Sequence, residues 1–291
     1  MPSKWTIRQA AVVGAAVAAV LGAAACAPQE TAAPTPTGTD ACAKENLPTK
    51  TPGRLTIATD DPSFPPWVLD NDPESKQGFE AAVAYAVAEQ LGFTDAEVTW
   101  VRVPFNAAIQ PGPKDFDFDI NQFSITEERR EAVDFSSPYY DVRQVVVTVE
   151  GSPIAGATSL ADLANAKLGV QVGTTSYQAI VDVIKPTVDP AVLNTNEDVV
   201  QQLSNGTIDG AVFDLPTAFY ITAVELENGV IVGQVPQPEG GTPEQFGLLL
   251  DKDSPLTGCV SRAVDALRAN GTLADLEAEW LADVAGAPEL S

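Results

Sequence analysis

Four predicted loops carry side chains suited to binding a small charged molecule, and the first of them contains an arginine. Ser124 and Arg129 lie about one helical turn apart, after a predicted strand that ends near residue 120. A hydroxyl group and a guanidinium at this spacing can converge on one carboxylate, because the guanidinium offers two parallel N–H donors. The alternative interpretation is a surface arginine that pairs with a neighbouring acid such as Glu128.

The second loop, 173–176, follows a predicted strand and precedes a predicted helix. Its glycine permits a tight turn, and the backbone N–H groups with the hydroxyls of Thr174 and Thr175 can form a small anion-binding cradle. A plain helix cap is the commoner use of such residues and stays open as an alternative. The loop has neither the P-loop pattern nor the glycine fingerprint of a dinucleotide site.

The third and fourth loops offer an acid and an apolar wall. Asp214 stands directly after a predicted strand, where it can pair with a ligand ammonium group or form a turn ahead of Pro216. Phe64 and Trp67 lie on a proline-stiffened loop, and either ring can face a ligand or serve ordinary packing.

Three polar side chains beside these loops are further candidates. Asp60 and Asp61 precede the aromatic loop and indicate a cationic or polar ligand side chain, unless they are turn or cap residues. Gln122 projects, on strand alternation, toward the same side as Ser124, which predicts a contact with a ligand side chain.

The composition excludes several kinds of chemistry. The chain has no histidine and three cysteines, which excludes Ser-His-Asp and Cys-His catalysis, histidine-ligated metals and the usual Cys/His zinc site. With 40 acidic and 16 basic residues the formal charge is -24, so the chain as a whole repels phosphate backbones. We therefore expect no nucleic-acid partner, no metal and no cofactor, and any bound anion needs a local cluster of donors.

The loops are set among alternating strand-like and helix-like segments. Apolar side chains recur every four residues from Phe79 to Leu91 and Gly92 follows, which predicts an amphipathic helix that ends at the glycine. Strands are predicted at 54–59, 97–103, 117–120, 144–149, 167–172 and 210–213, and a helix at 198–203. This alternation predicts an α/β architecture with mainly parallel sheets and helices on both faces, in which ligands bind at the carboxyl ends of strands.

Two helices are predicted near the C-terminal end. Ser254, followed by Pro255, is expected to cap the first of them, and the pair 270–271 to stop it. Thr272 is expected to cap the last helix, which runs through Trp280.

The N-terminal segment has the pattern of an export signal. Lys4 and Arg8 precede an apolar run over 10–25, which is short for a membrane span and predicts a signal peptide over 1–25. An uncleaved anchor is the alternative, and it also places the remainder outside the membrane. Residues 22–26 resemble a bacterial lipobox that would lipidate Cys26, although Ala23 stands where a leucine is usual. The Ala/Thr/Pro-rich residues 26–53 then predict a tether.

The two other cysteines, Cys42 in the tether and Cys259 near the C-terminal helices, form an even remainder in an exported protein. They predict a disulfide that fastens the end of the tether to the folded body. Two unpaired thiols are the alternative.

The body from about 54 to 282 resembles the extracellular solute-binding proteins of family 3, the polar amino acid receptors of ABC importers. The resemblance rests on ordered segments that include Ser-Ile-Thr-Glu-Glu-Arg over 124–129 and Asp-Phe-Ser-Ser-Pro-Tyr over 134–139. It continues through Gly-Val-Gln-Val-Gly-Thr-Thr over 169–175 and Gly-Thr-Ile-Asp-Gly-Ala-Val-Phe-Asp over 206–214.

This resemblance implies a type II periplasmic-binding-protein-like fold, with two lobes that are joined by two hinge crossovers and close on a ligand. Lobe 1 would be discontinuous, over 54–145 plus 242–291, and lobe 2 would span 146–241. The hinge candidates are 145–149 and about 240–246.

The resemblance also implies roles for the candidate residues. Arg129, Ser124, Thr174 and Thr175 would hold the ligand α-carboxylate, Asp214 the α-ammonium, and Phe64 the ligand side chain. Gln122 and Asp60 remain additional candidates for the side chain. One departure is Glu80, which stands in a segment where the family often has Gly-Phe-Asp-x-Asp; its effect is expected on the folding of lobe 1 only.

The implied function is the substrate-binding component of an ABC importer, not an enzyme. A monomer would bind a free amino acid outside the cytoplasmic membrane, anchored through lipidated Cys26, and deliver it to a permease. One rival is a dehydratase of the arogenate or prephenate kind, which would need a raised-pKa carboxylate such as Glu80, Asp60 or Asp61. The other is a sensory module that reports ligand state to a signalling partner.

Overall fold

The computed structural model describes residues 41–237, 243–282 and 286–291. The predicted signal peptide, Cys26 and the first part of the tether lie outside the described residues, as do 240–242 of the second hinge candidate. The described residues all belong to one compact unit, Pro36–Ser291. Within the described ranges, no helix combines the length and apolar character that a membrane span needs.

Ten strands in the described residues form two five-stranded sheets. The strands are β1 (Leu55–Thr59), β2 (Val98–Arg102), β3 (Phe118–Asp119), β4 (Val133–Asp141), β5 (Gln144–Val149), β6 (Leu168–Gln171), β7 (Ala191–Leu193), β8 (Gly210–Asp214), β9 (Gly229–Gln234) and β10 (Gln245–Asp251). The first sheet has the order β2-β1-β3-β10-β4, and the second has the order β7-β6-β8-β5-β9.

Eight α-helices surround the sheets in the described residues. They are α1 (Phe79–Gln90), α2 (Phe105–Ala108), α3 (Glu127–Arg130), α4 (Thr175–Gln178), α5 (Asn196–Ser204), α6 (Leu215–Tyr220), α7 (Thr257–Ala269) and α8 (Thr272–Trp280). Two of them continue into short π-helical segments, Ala179–Ile184 and Ile221–Glu225.

Both sheets are mixed, so the expectation of mainly parallel sheets was wrong. The pairs β1–β2, β1–β3, β6–β7 and β6–β8 are parallel. The pairs β3–β10, β4–β10, β5–β8 and β5–β9 are antiparallel. The antiparallel pairs all involve β10 or β5. The chain enters the second sheet through β5 and returns to the first sheet through β10. The parallel strands keep their carboxyl ends on one edge, where the candidate loops lie.

Helix α1 confirms the predicted helix but not its amphipathic character, because only its last two residues are exposed. Its residues Phe79, Val83 and Val87 are fully buried against the first sheet, and Gly92 after its end has a φ of 88°. Each C-terminal helix differs from its prediction at its start. Ser254 accepts from the N–H of Leu256 in a preceding turn, so α7 begins only at Thr257.

Helix α8 ends at Trp280 as predicted, but its N-cap is Gly271 rather than Thr272. The left-handed φ of Gly271 places Thr272 inside the first turn, where its N–H donates to the side chain of Asn270 at 3.0 Å. Gly271 therefore follows the end of α7 and is also the N-cap of α8.

Two short crossings carry the chain between the sheets. The first is the pair 142–143 between β4 and β5; the second leads from β9 to β10 and includes undescribed residues. The N–H of Val142 donates to the carbonyl of Glu244 at 2.9 Å, and the N–H of Val235 donates to that of Gln144 at 2.8 Å. The hinge candidate 145–149 was misplaced, because that segment is β5, a strand inside the second sheet whose first five residues are buried.

The two ends of the body also differ from the predicted division. Residues 286–291, assigned to lobe 1, pack on the second sheet: Leu290 is buried in its core and donates its N–H to Gln234 at 2.9 Å. The tether is folded from residue 41 onward, since Leu47 is buried and Lys44 pairs with Glu97 at 2.6 Å.

The predicted disulfide between Cys42 and Cys259 is confirmed, with a Cα–Cα distance of 5.4 Å. Cys259 is a buried core residue of α7, and the half-buried Cys42 packs against the same cluster. The disulfide therefore fastens the end of the tether to the first sheet's core.

Candidate functional site

A cleft lies between the carboxyl edges of the two sheets. The predicted residues Arg129, Asp214, Thr174, Thr175, Ser124, Phe64, Gln122 and Asp60 all line it. The structure therefore brings together side chains from all four candidate loops.

The guanidinium of Arg129 bridges the cleft by donating hydrogen bonds to a backbone carbonyl on each wall. Helix α3 begins after Thr126, whose hydroxyl accepts from the N–H of Arg129 at 3.1 Å. The guanidinium donates to the carbonyl oxygens of Ser124 at 2.7 Å and Gly173 at 2.9 Å. Burial lowers the pKa of Arg129 to about 10, so it remains charged at neutral pH. The surface ion pair of this helix is made by Arg130 with Glu127 instead, at 3.8 Å.

The hydroxyl residues face one another across the same end of the cleft. The hydroxyl oxygens of Ser124 and Thr175 are 3.1 Å apart, and both groups donate to Glu244. Thr174 is the N-cap residue of α4, but its hydroxyl donates back to the carbonyl of Gln171 at 2.8 Å. Thr174 can therefore offer a ligand its backbone N–H more readily than its side chain.

Asp214 closes the opposite side of the cleft as the last residue of β8 and the N-cap of α6. Its carboxylate accepts from the N–H of Thr217 at 3.1 Å. Asp214 therefore caps the helix and lines the cleft at the same time. Burial raises the pKa of Asp214 to about 6. A ligand ammonium group placed here would favour the ionised form.

The two acids at the end of β1 are partly engaged. Asp60 accepts from the N–H of Phe105 at 3.2 Å, while the exposed Asp61 accepts from the side chain of Asn71 at 2.9 Å. The guanidinium of Arg102 donates to the carbonyl oxygen of Asp60 rather than to its carboxylate. Neither carboxylate is therefore paired with the guanidinium of Arg102.

Gln122 lines the cleft, but not for the predicted reason. Strand β3 ends at Asp119, and Gln122 has a left-handed φ of 49°, so strand alternation does not govern its direction. Its N–H donates to Glu80 at 2.7 Å, and its side-chain amide donates to the same carboxyl group. Glu80 is buried, accepts from Tyr139 as well, and has a pKa that burial raises to about 7. Glu80 thus holds a cleft residue in place rather than affecting only folding.

The aromatic loop supplies one ring to the cleft and another to the contact between its walls. Phe64 is half-buried, with its ring centroid 6.4 Å from that of Tyr220. Trp67 is only 2% exposed, and its indole N–H donates to the hydroxyl of Thr217 at 2.8 Å. Trp67 therefore joins the loop after β1 to helix α6 of the second sheet.

A family model for the bacterial extracellular solute-binding proteins of family 3 matches residues 55–283 of the chain. The chain belongs to this family. It is 28% identical over 253 residues to the L-arginine-binding protein of Pseudomonas aeruginosa, covering 79% of this chain and 92% of that protein. It is 27% identical over 221 residues to the ABC transporter arginine-binding protein 1 of Escherichia coli strain K12, covering 75% and 87%.

A solved structure of an ancestral arginine-binding protein bound to arginine is also similar to this solute-binding protein. It superimposes with a TM-score of 0.63 at 29% identity, covering 78% of this chain and 98% of that one. The predicted type II periplasmic-binding-protein fold is confirmed by this similarity. The predicted function, the amino acid-binding component of an ABC transporter and not an enzyme, is confirmed together with the family. The dehydratase and sensory alternatives are set aside, and membership of an extracellular family agrees with export.

Other residues line the cleft that were not predicted from the sequence. Among them are Gln144, Glu197, Thr217 and Phe105, and the ring of Phe105 lies 5.5 Å from the guanidinium carbon of Arg129. Glu197 stands in the first turn of α5 after the cap residue, a pattern that the sequence shows. The other three carry no local signal, because their neighbours in the cleft come from distant parts of the chain.

Proposed function

We propose that the amino acid bound by this solute-binding protein has a cationic side chain, and that L-arginine is the first substrate to test. The observation that carries the proposal is the charge of the cleft wall. Among the described residues that line the cleft, Asp60, Asp61, Glu197 and Asp214 are acidic and Arg129 alone is basic. Such a wall favours a ligand with net positive charge.

An amino acid zwitterion uses two of these charges. Its carboxylate would pair with Arg129, which offers planar donors, and its ammonium with Asp214 on the opposite side. Three acids then have no opposite charge among the lining residues. A guanidinium or ammonium side chain that points toward Asp60 and Glu197 would supply one.

The relatives support the same substrate class. Two similar proteins are named as arginine-binding, and the similar ancestral structure is described as bound to arginine. The aromatic side chains of Phe64 and Phe105 would flank the aliphatic part of such a ligand or stack with its planar head group.

Isothermal titration with L-arginine and L-citrulline tests the side-chain charge. Citrulline has nearly the same shape, but an oxygen replaces one guanidinium nitrogen and removes the charge. We expect arginine to bind at least tenfold more tightly, because a charge-assisted hydrogen bond contributes about 1.5–3 kcal/mol. Equal affinities for the two ligands would contradict the proposal.

Two variants test the orientation of the zwitterion. Arg129→Ala and Asp214→Ala should each weaken binding by roughly a hundredfold or more, since each leaves a buried ligand charge unpaired. Glu131→Ala, at an exposed position on the first sheet's side, is the charge control. Wild-type affinity in either test variant would show that the ligand lies elsewhere.

We further propose that the two sheets are the cores of two lobes that close on the ligand and present the closed form to an ABC permease. The division 54–145 plus 242–291 against 146–241 is kept, except that β5 and residues 286–291 belong with the second sheet. A ligand that bridges Arg129 and Asp214 stabilises closure only through contacts that the open form lacks.

We also propose that Cys26 is lipidated and anchors the protein to the outer face of the cytoplasmic membrane. Support comes from the lipobox-like residues 22–26 and from the Ala/Thr/Pro-rich residues after them. Metabolic labelling with a palmitate analogue should mark the wild-type protein and leave Cys26→Ser unlabelled. An unlabelled wild-type protein that fractionates without the membrane would contradict the anchor.

A further inference from the structure

Glu244 lies where the second crossing enters β10, and its side chain points between the two walls of the cleft. Its backbone carbonyl accepts from the N–H of Val142 in the first crossing at 2.9 Å. The residue is thus fixed at the junction of both crossings. It does not belong to the lining of the cleft, and none of the four candidate loops contains it.

The carboxylate of Glu244 accepts hydrogen bonds from both walls at once. On the first-sheet side it accepts from the hydroxyl of Ser124 at 2.6 Å. On the second-sheet side it accepts from the hydroxyl of Thr175 and from the side-chain amide of Gln144, the latter at 3.2 and 3.3 Å. The amide of Gln144 is itself oriented by Ser176, whose hydroxyl donates to its oxygen at 2.7 Å.

The donors of Glu244 belong to different structural units. Ser124 is bridged to Phe246 of the first sheet, whereas Thr175 opens α4 and Gln144 opens β5 of the second sheet. When the sheets separate, a single carboxylate cannot keep Ser124 and Thr175 together. The two hydroxyl contacts are therefore specific to the closed arrangement.

Glu244 also determines which donors remain for a ligand. A hydroxyl group has one proton, and those of Ser124 and Thr175 are both directed at Glu244. The backbone N–H groups of these two residues have no acceptor within the part of the chain that the structure describes. A ligand carboxylate would accordingly be bound by backbone N–H groups and Arg129, with Glu244 behind the hydroxyls.

We propose that Glu244 is a latch of the ligand-binding cycle, a positioning residue that stabilises the closed form by joining the two walls through Ser124 and Thr175. The latch sets how much of the unliganded protein is closed, and hence the apparent affinity for the ligand. Apparent affinity scales with the fraction of molecules that are competent to bind. The latch rests on the proposed closure of two lobes, but not on the identity of the amino acid.

The test compares Glu244→Ala and Glu244→Gln with the wild-type protein and with Glu227→Ala, a control at an exposed acid. Small-angle X-ray scattering of the unliganded proteins measures the radius of gyration, and titration with L-arginine measures affinity. Glu244→Ala should be more open without ligand and should bind roughly tenfold more weakly, since it loses hydrogen bonds to a charged group. Glu244→Gln keeps an oxygen acceptor for the hydroxyls and should lie between Glu244→Ala and the wild type.

An unchanged radius of gyration with unchanged affinity in Glu244→Ala would overturn the proposal. So would tighter binding, which would make Glu244 a charge that repels the ligand carboxylate. If Glu244→Ala does not fold, judged by circular dichroism, Glu244→Gln alone decides through the same two measurements. Scattering of the unliganded proteins needs no ligand, so it tests the latch even if arginine does not bind to the wild type.

Discussion

Asp214 combines a structural role, as the cap of a helix, with the binding role proposed for it in the cleft. It caps α6 through Thr217 and faces the cleft, and burial raises its pKa to about 6 in the unliganded protein. An ammonium ligand prefers the ionised form, so binding below this pKa must release a proton. Affinity should therefore begin to fall at a pH closer to neutral than it would with an aspartate of ordinary pKa.

We predict that affinity is constant above pH 7 and falls by about tenfold per pH unit below pH 6. Titration calorimetry at pH 7.5, 5.5 and 4.5 measures the slope. Glu131→Ala, at an exposed position outside the cleft lining, should keep this dependence. Affinity that stays flat down to pH 4.5 would exclude Asp214 as the partner of the ammonium.

Asp119 in β3 is a buried acid that the binding site does not explain. It is fully buried, and neither carboxylate oxygen has a hydrogen-bond partner among the described residues. Burial, with Glu80 and Asp60 nearby, raises its pKa well above the usual range. The folded protein therefore holds a proton that the unfolded chain releases above about pH 4.

Asp119→Val should stabilise the protein by about 1–3 kcal/mol at pH 8, the cost of an unsatisfied buried polar group. The sign with pH follows from the raised pKa. The wild type loses stability as the pH rises from about 4 through the folded pKa, so the gain in the variant grows between pH 5 and pH 8. Urea unfolding at both pH values measures it, and a variant that is less stable than wild type at pH 8 would refute the argument.

At the scale of elements, the start of α1 positions the aromatic loop. Gly78 has a φ of 102°, and a Cβ there would come within 2.5 Å of the carbonyl oxygen of Trp67. That oxygen accepts from the N–H groups of Glu80 and Ala81 at 3.0 and 3.3 Å. Two N–H groups in the first turn of α1 thus find their acceptor in the loop that carries Phe64 and Trp67.

We predict that Gly78→Ala lowers the free energy of unfolding by more than about 2 kcal/mol and also weakens binding, because the loop must move. Gly112→Ala is the matched control. Gly112 has a φ of 123°, but a Cβ there meets nothing within 4 Å, so it should show only the backbone strain. Chemical unfolding and titration calorimetry distinguish the two variants; equal losses in both would remove the contact with Trp67 as the cause.

Element identity was predictable where the pattern is local. The apolar runs of β1, β5, β6 and β8 and the four-residue period of α1 stand in the sequence itself. Strand β4 was not predicted, because Pro138 and alternating polar residues mask its strand character. Strands β7, β9 and β10 were missed as well, and their assignment depends on pairing with β6, β5 and β4.

The candidate site shows the same limit. Arg129, Asp214 and the hydroxyl loops follow predicted strands, so their position at the cleft could be foreseen. Glu244 could not be, because its partners Ser124 and Thr175 lie 120 and 69 residues away. The contact exists only once both sheets have formed and the second crossing has brought Glu244 between them.

At the scale of the whole molecule, the charge of -24 and the cleft act in the same direction. An acidic surface attracts cationic ligands and repels anionic ones, and the effect is largest at low salt. Arg129 is the one basic residue among the described residues that line the cleft, and it is the partner proposed for the ligand carboxylate. The proposed specificity for a cationic amino acid therefore depends on the same excess of acidic residues that the whole chain shows.

The disulfide between Cys42 and Cys259 constrains the whole molecule, because the two cysteines are 217 residues apart in sequence. Closing so long a loop in the unfolded chain corresponds to about 5 kcal/mol in the chain-entropy model, and measured values are typically about 2–4 kcal/mol. We predict that the variant with both Cys42→Ala and Cys259→Ala unfolds at lower guanidinium concentration, with a larger m-value because its unfolded state is less compact. Neither cysteine lines the cleft, so its affinity for L-arginine should equal that of the wild type. An unchanged unfolding midpoint would mean that the core around α7 holds the tether end without the disulfide.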